Sequence, residues 1–170
     1  MSKLEIQGLD LLGFVMARTI EATQASFRTQ IRIEAKFRTA SSAPPVETAA
    51  SSAISFESND VAATIAFFFP AETFCALYSA LVGETTRSVT DENLDAAAEI
   101  LNIVYGVARK PINESGHDFR AALPVAHLGA SARAAHVGSS ARAIICESSL
   151  GPILMEFSLR RKSIDAKKAS

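Results

Sequence analysis

The stretch that most restricts what this chain can become is Thr90–Ala108, TDENLDAAAEILNIVYGVA. At about 100° per residue, a helix places Asp95, Glu99, Asn102 and Gly106 in one narrow sector. Almost every other position from Leu94 to Ala108 is apolar, and a helix that is apolar most of the way round is mostly buried. Its one open side then carries a carboxylate and a carboxamide at i and i+3, the spacing that makes side chains neighbours. The pattern predicts that the helix starts at Thr90 or Asp91, with Asp91 and Glu92 in a first turn that favours negative charge.

The flanking sequence reads as alternating helical and extended segments. Leu9, Leu12, Val15, Met16, Thr19 and Ile20 recur at helical spacing over 9–24. Ile31, Ile33, Ala35 and Phe37 then alternate with Arg32, Glu34, Lys36 and Arg38, a strand with one polar face. Residues 39–52 are rich in Ser, Ala, Thr and Pro and are expected to form a flexible loop. Strands follow at Ala53–Ser58 and Ala62–Phe69, the second apolar on both faces. Pro70 opens a helix whose apolar face is Phe74, Leu77, Tyr78 and Leu81, and Gly83 ends it. Beyond the central helix, Lys110-Pro111 and Glu114-Ser115-Gly116 mark turns, and Pro124 interrupts the alternation of Phe119–Leu128, as in a bulged edge segment. Two last strands are expected at Ser140–Glu147 and Pro152–Arg160, with 161–170 a frayed tail.

A shift of 90 residues lays the first strand pair over the last. Ala53-Ile54-Ser55-Phe56-Glu57-Ser58 meets Ala143-Ile144-Ile145-Cys146-Glu147-Ser148, and Ile65, Phe67 and Phe69 meet Met155, Phe157 and Leu159 without a gap. The economical reading is a duplicated unit, giving an α+β fold with internal pseudo-symmetry. At 170 residues, 1–170 forms one domain.

Charge and composition exclude several classes of partner. With 17 basic and 18 acidic side chains the net charge is −1, so no field exists to hold nucleic acid or anionic lipid. The first residues lack the pattern of a signal peptide, and no apolar run approaches the roughly 18 residues of a spanning helix; a cytoplasmic protein is expected. Cys75 and Cys146 read as buried, reduced thiols. His117, His127 and His136 lack a companion ligand set, so no metal site is expected.

The spaced set of Asp95, Glu99, Asn102, Gly106 and Pro124, after Phe69-Pro70-Ala71-Glu72-Thr73 and Ala80-Leu81-Val82-Gly83-Glu84, resembles the CheC/CheX/FliY group of chemotaxis phosphatases. The likeness covers about Leu9 to Arg160 and is nearest to CheX, which has a single Glu-x-x-Asn motif. It implies a CheC-like fold, a central antiparallel sheet with helices packed on one side, and a homodimer. It also implies a substrate, the aspartyl phosphate of a phosphorylated CheY-type response regulator. By that resemblance Asn102 corresponds to the carboxamide that orients the attacking water, and Glu99 to the acid that pairs with the regulator's active-site lysine. Asp95, Gly106 and Pro124 then belong to the partner-binding surface. The chain needs no cofactor of its own, Mg²⁺ being expected on the phosphorylated partner.

Glu21 and Gln24 on the first helix form a Glu-x-x-Gln where two-site members of the group carry a second motif; surface solubility is the preferred reading of that pair. The principal alternative to a phosphatase is a catalytically inactive interaction domain that binds a response regulator or signalling partner.

Overall fold

The computed structural model describes residues 10–40, 47–132 and 140–162. Helix α1 spans Leu11–Ser26, and a π-helical turn continues it over Phe27–Ile31. The strands are β1 (Ala35–Thr39), β2 (Ala50–Glu57), β3 (Val61–Phe69), β4 (Arg120–Ala121), β5 (Val125–Leu128), β6 (Ser140–Ser148) and β7 (Gly151–Arg161). Helices α2 (Ala71–Val82) and α3 (Asp95–Asn113) lie between β3 and β4. All strand pairs are antiparallel, in one sheet of order β1-β6-β7-β3-β2, with β4 and β5 both pairing the outer side of β2.

The two faces of the sheet follow from the period of two along each strand. Val61, Ala63, Ile65, Phe67 and Phe69 of β3 share the main core with Ile54 and Phe56 of β2 and with Ile153, Met155 and Phe157 of β7. The same core contains Leu12 and Val15 of α1, Phe74 and Leu77 of α2, and Ile100, Leu101 and Val104 of α3. The helices therefore pack on one side, as expected of the CheC-like arrangement. On the other face, Ala66, Phe68, Ile145 and Leu154 form a smaller cluster with Ala132.

The duplication expected from the 90-residue shift is realised in the register. Ile54 pairs with Ile65 and Phe56 with Ala63 in the first hairpin, while Ile144 pairs with Met155 and Cys146 with Ile153 in the second. Ala66 pairs with Glu156, its own counterpart under the shift, which sets a pseudo-two-fold axis between β3 and β7. Each half runs helix, edge strand, hairpin, but the edge strands are exchanged: β1 pairs with β6, and β5 with β2.

Several local expectations change. Ile31 and Ile33 are not in a strand, because burial of Phe27 extends the helix and Arg32 then reverses the chain with a left-handed backbone (φ 62°); β1 starts only at Ala35. The expected 39–52 loop is shorter, since Thr39 belongs to β1 and Ala50–Ser52 to β2, where they pair with Phe67–Phe69; Pro44 and Pro45 lie outside the described residues. Arg161 extends β7, and 163–170 of the expected tail also lie outside them. Helix α3 begins at Asp95 rather than Thr90, because Asn93 closes a turn of its own. Its Oδ1 accepts from the Thr90 N–H at 2.9 Å and its Nδ2 donates to the Ser88 carbonyl at 2.9 Å. Lys110-Pro111 is not a turn but the last turn of α3. The bond a proline forfeits there is to the carbonyl four residues earlier, that of Val107, which sits on an open part of the helix where water can serve it.

Gly151 has a structural reason to be glycine. Its φ is 118°, and a Cβ there would collide with the Thr73 side chain, so the β6–β7 turn closes against α2 only without one.

Candidate functional site

Helix α3 is held from beneath by aromatic packing. Tyr105 lies 5.3 Å from Phe56, which meets Phe119 edge-on at 5.1 Å. The Asn113 Oδ1 accepts from the Phe119 N–H at 3.0 Å and ties the helix end to the chain entering β4. Ala97, Leu101, Val104, Ala108 and Ile112 are all buried. A helix so fixed presents its remaining side in one orientation, the condition for precise placement of a reacting group.

That remaining side is the predicted stripe. Asp95, Glu99, Asn102 and Gly106 are all exposed, and i, i+3 and i+4 spacing makes them neighbours along one face. Among the described residues, no hydrogen bond or ion pair engages the side chains of Asp95, Glu99 or Asn102. Gly106 is more informative than its neighbours. A Cβ at this position would meet nothing within 4 Å, so neither packing nor backbone requires glycine, which costs a helix roughly 0.5–1 kcal/mol relative to Ala. The bare backbone leaves an open step beside Asn102, four residues away.

Pro124 falls in the break between β4 and β5, where Ala121 faces Phe56 and Val125 faces Ala53. The bulge projects Leu123, 84% exposed, from the sheet edge that α3 flanks. Val107 is 49% exposed, although an apolar residue in this helix reads as core. Their exposure does not follow from the apolar pattern; the sequence signals for it are that Val107 adjoins Gly106 and Leu123 adjoins the bulge proline.

The Glu-x-x-Gln pair sits differently. Glu21 and Gln24 are exposed on α1, but the Glu21 carboxylate accepts from Arg18 at 2.7 Å, and Arg18 also lies over the Phe14 ring at 5.3 Å. Cys75 and Cys146 are buried free thiols; burial, reinforced by Glu147, pushes the Cys146 thiol up to about 12. His117 stacks on Phe119 at 5.6 Å, His127 is half-buried in β5, and His136 lies outside the described residues. Among the described residues, no three His, Cys, Asp or Glu side chains gather as a metal ion needs, and no helix is long and apolar enough to cross a membrane.

Comparison with known proteins gives this geometry a family. The model of the family described as "Chemotaxis phosphatase CheX" matches residues 51–147, more than half of the chain and the whole of α3. The chain belongs to the CheX family. Its fold is correspondingly similar to the crystal structure of CheX from Vibrio vulnificus, at 21% identity, with a TM-score of 0.73 over 86% of this chain and 96% of that one. It is also similar to CheX from Borrelia burgdorferi, solved in a complex with CheY, BeF3 and Mg²⁺, at 19% identity and a TM-score of 0.69 over 85% and 97% of the two chains. The middle domain of FliM from H. pylori shares the fold more distantly, at 12% identity and a TM-score of 0.60 over 85% and 86%. No curated protein sequence matches this CheX-family chain.

Proposed function

We propose that this CheX-family protein hydrolyses the aspartyl phosphate of a CheY-type response regulator, with Asn102 and Glu99 as the residues that act on it. One observation carries the reading: Glu99 and Asn102 stand side by side on a rigidly seated helix, exposed and engaged by no described residue. The CheX of Borrelia burgdorferi in complex with CheY supports the choice of partner.

The residue types suit the chemistry. An acyl phosphate is already reactive, so a catalyst need only place water in line and hold the developing charge steady. The Asn102 amide can accept from that water and donate to it, and it stays uncharged beside a dianionic phosphoryl group where a carboxylate would repel. Glu99, one helical turn earlier, pairs with the lysine of the regulator's active site and fixes the approach. Mg²⁺ belongs to the regulator and supplies charge neutralisation there. The open step at Gly106 admits the partner's backbone close to α3, with Asp95 and Pro124 bordering the contact. Half-exposed Val125 and Leu128 on the outermost strand support a homodimer joined along the β5 edge, acting in the cytoplasm with its regulator. Sedimentation as a monomer at micromolar concentration argues against that dimer.

The test is the decay of a phosphorylated CheY-type regulator with and without the protein. Wild type shortens its lifetime and Asn102→Ala does not, while both still bind. Binding without acceleration by wild type makes the protein an interaction domain instead.

A further inference from the structure

We infer that the outer face of the sheet, opposite the helices and α3, carries a binding site for a small molecule bearing a phosphate or carboxylate group. The strand register builds it. Arg120 of β4, Glu57 of β2, Ala62 of β3 and Arg160 of β7 stand directly opposite one another in a row across four strands. The next row on the same face is Ser55, Thr64 and Ser158. Between the long ends of the first row, Ala62 has almost no side chain. Together with Ala121 and Ala122 it leaves a concavity of about 490 Å³, within the range of roughly 300–1,000 Å³ usual for small-molecule sites.

The lining suits an oxyanion. Thr64 and Ser158 are 7% and 4% exposed and form the floor, with the Ser55 and Thr64 hydroxyls 3.2 Å apart. The carboxylate of Glu57 is engaged by the Lys162 ammonium at 2.8 Å. That pair, and more weakly Arg160, holds the Glu57 carboxyl below its usual range. The side chains of Arg120 and Arg160 make no hydrogen bond or ion pair with any described residue. The lining thus carries two guanidinium groups against one carboxylate, itself neutralised by Lys162 from outside the concavity, on a chain whose total charge is −1. Planar guanidinium forks on opposite sides of a hydroxyl floor match carboxylate and phosphate geometry. Beyond it on the same face lie the apolar, buried Ala66, Phe68, Ile145 and Leu154, and the nearest ion pair farther along is Arg38 with Glu147, on β1 and β6.

The inference does not depend on the phosphatase reading, and its test needs no regulator. Calorimetric titration of the full chain with pyrophosphate and with citrate separates the phosphate source from the carboxylate source. At least one of the two binds saturably, and Arg120→Ala/Arg160→Ala weakens it more than tenfold. Ala62→Leu, which fills the concavity and keeps both arginines, abolishes binding, while Arg87→Ala and Asn102→Ala leave it unchanged. Thermal melts of each variant verify folding, and Ala62→Leu supplies the test if the double variant does not fold. Absence of binding by wild type to both probes overturns the inference. So does binding that survives Ala62→Leu, or that Arg87→Ala weakens as much as loss of the two site arginines.

Discussion

Two helices of this molecule each carry a Glu followed three residues later by a carboxamide residue, and the contrast between them isolates what a site requires. On α3, Glu99 and Asn102 have no partner among the described residues and stand beside a glycine open to solvent. On α1, the Glu21 carboxylate is taken by Arg18, and the amide belongs to a longer Gln. The footing differs as well. Phe56 of the first hairpin fastens α3 through Tyr105 and Phe119. The pseudo-symmetric position in the second hairpin, 90 residues on, is Cys146, a small buried thiol. The duplicated framework offers two helices, and aromatic anchoring together with unpaired polar groups distinguishes one of them.

The comparison can be broken most forcefully at its footing. Phe56→Ala is expected to destabilise the fold by about 3–5 kcal/mol, against about 1 kcal/mol for Cys146→Ala, read as shifts in urea midpoint. Equal costs remove the anchoring argument. At the site, Glu99→Ala is expected to weaken association with a CheY-type regulator about tenfold, or about 1.4 kcal/mol, whereas Glu21→Ala leaves it unchanged in the same titration. Gly106 sharpens the contrast because its two readouts move in opposite directions. Gly106→Ala raises helix stability by roughly 0.5–1 kcal/mol, while Gly106→Leu obstructs docking, as surface plasmon resonance would show.

The effect confined to alkaline pH lies in the second hairpin. The Cys146 thiol titrates near 12 in the fold and near 8.5 when unfolded, so the folded state holds the proton more tightly. That contribution is fully present below about pH 8.5 and is lost as the pH rises toward about 12. Cys146→Ala is therefore expected to flatten part of the alkaline decline in stability, measured as urea midpoints from pH 8 upward.

Much of this was legible from residue order. The hairpins repeat with the same spacing between paired residues, so a single shift finds both. The stripe survives because side-chain periodicity does not depend on where the helix starts. Features set by the bonding and exposure of individual groups were not legible. Asn93 replaces the expected first turn of α3 by bonding back to Thr90 and Ser88. Pro111 stays helical because the carbonyl it leaves bare belongs to half-exposed Val107. At the site, the residue types were visible, but the pairing of Glu21 with Arg18 and the open space at Gly106 appear only once the helices are placed. The row Arg120–Glu57–Ala62–Arg160 joins four strands drawn from both halves, and no local pattern announces it.

The central claim is that Asn102 does chemistry that its counterpart Gln24 does not. Single-turnover decay of a phosphorylated CheY-type regulator, with protein in saturating excess, tests it directly because binding no longer limits the rate. Wild type and Gln24→Ala are expected to accelerate decay equally, and Asn102→Ala to lose roughly a hundredfold, the scale associated with misplacing a reacting group. Acceleration retained by Asn102→Ala, or lost in Gln24→Ala, would contradict the account.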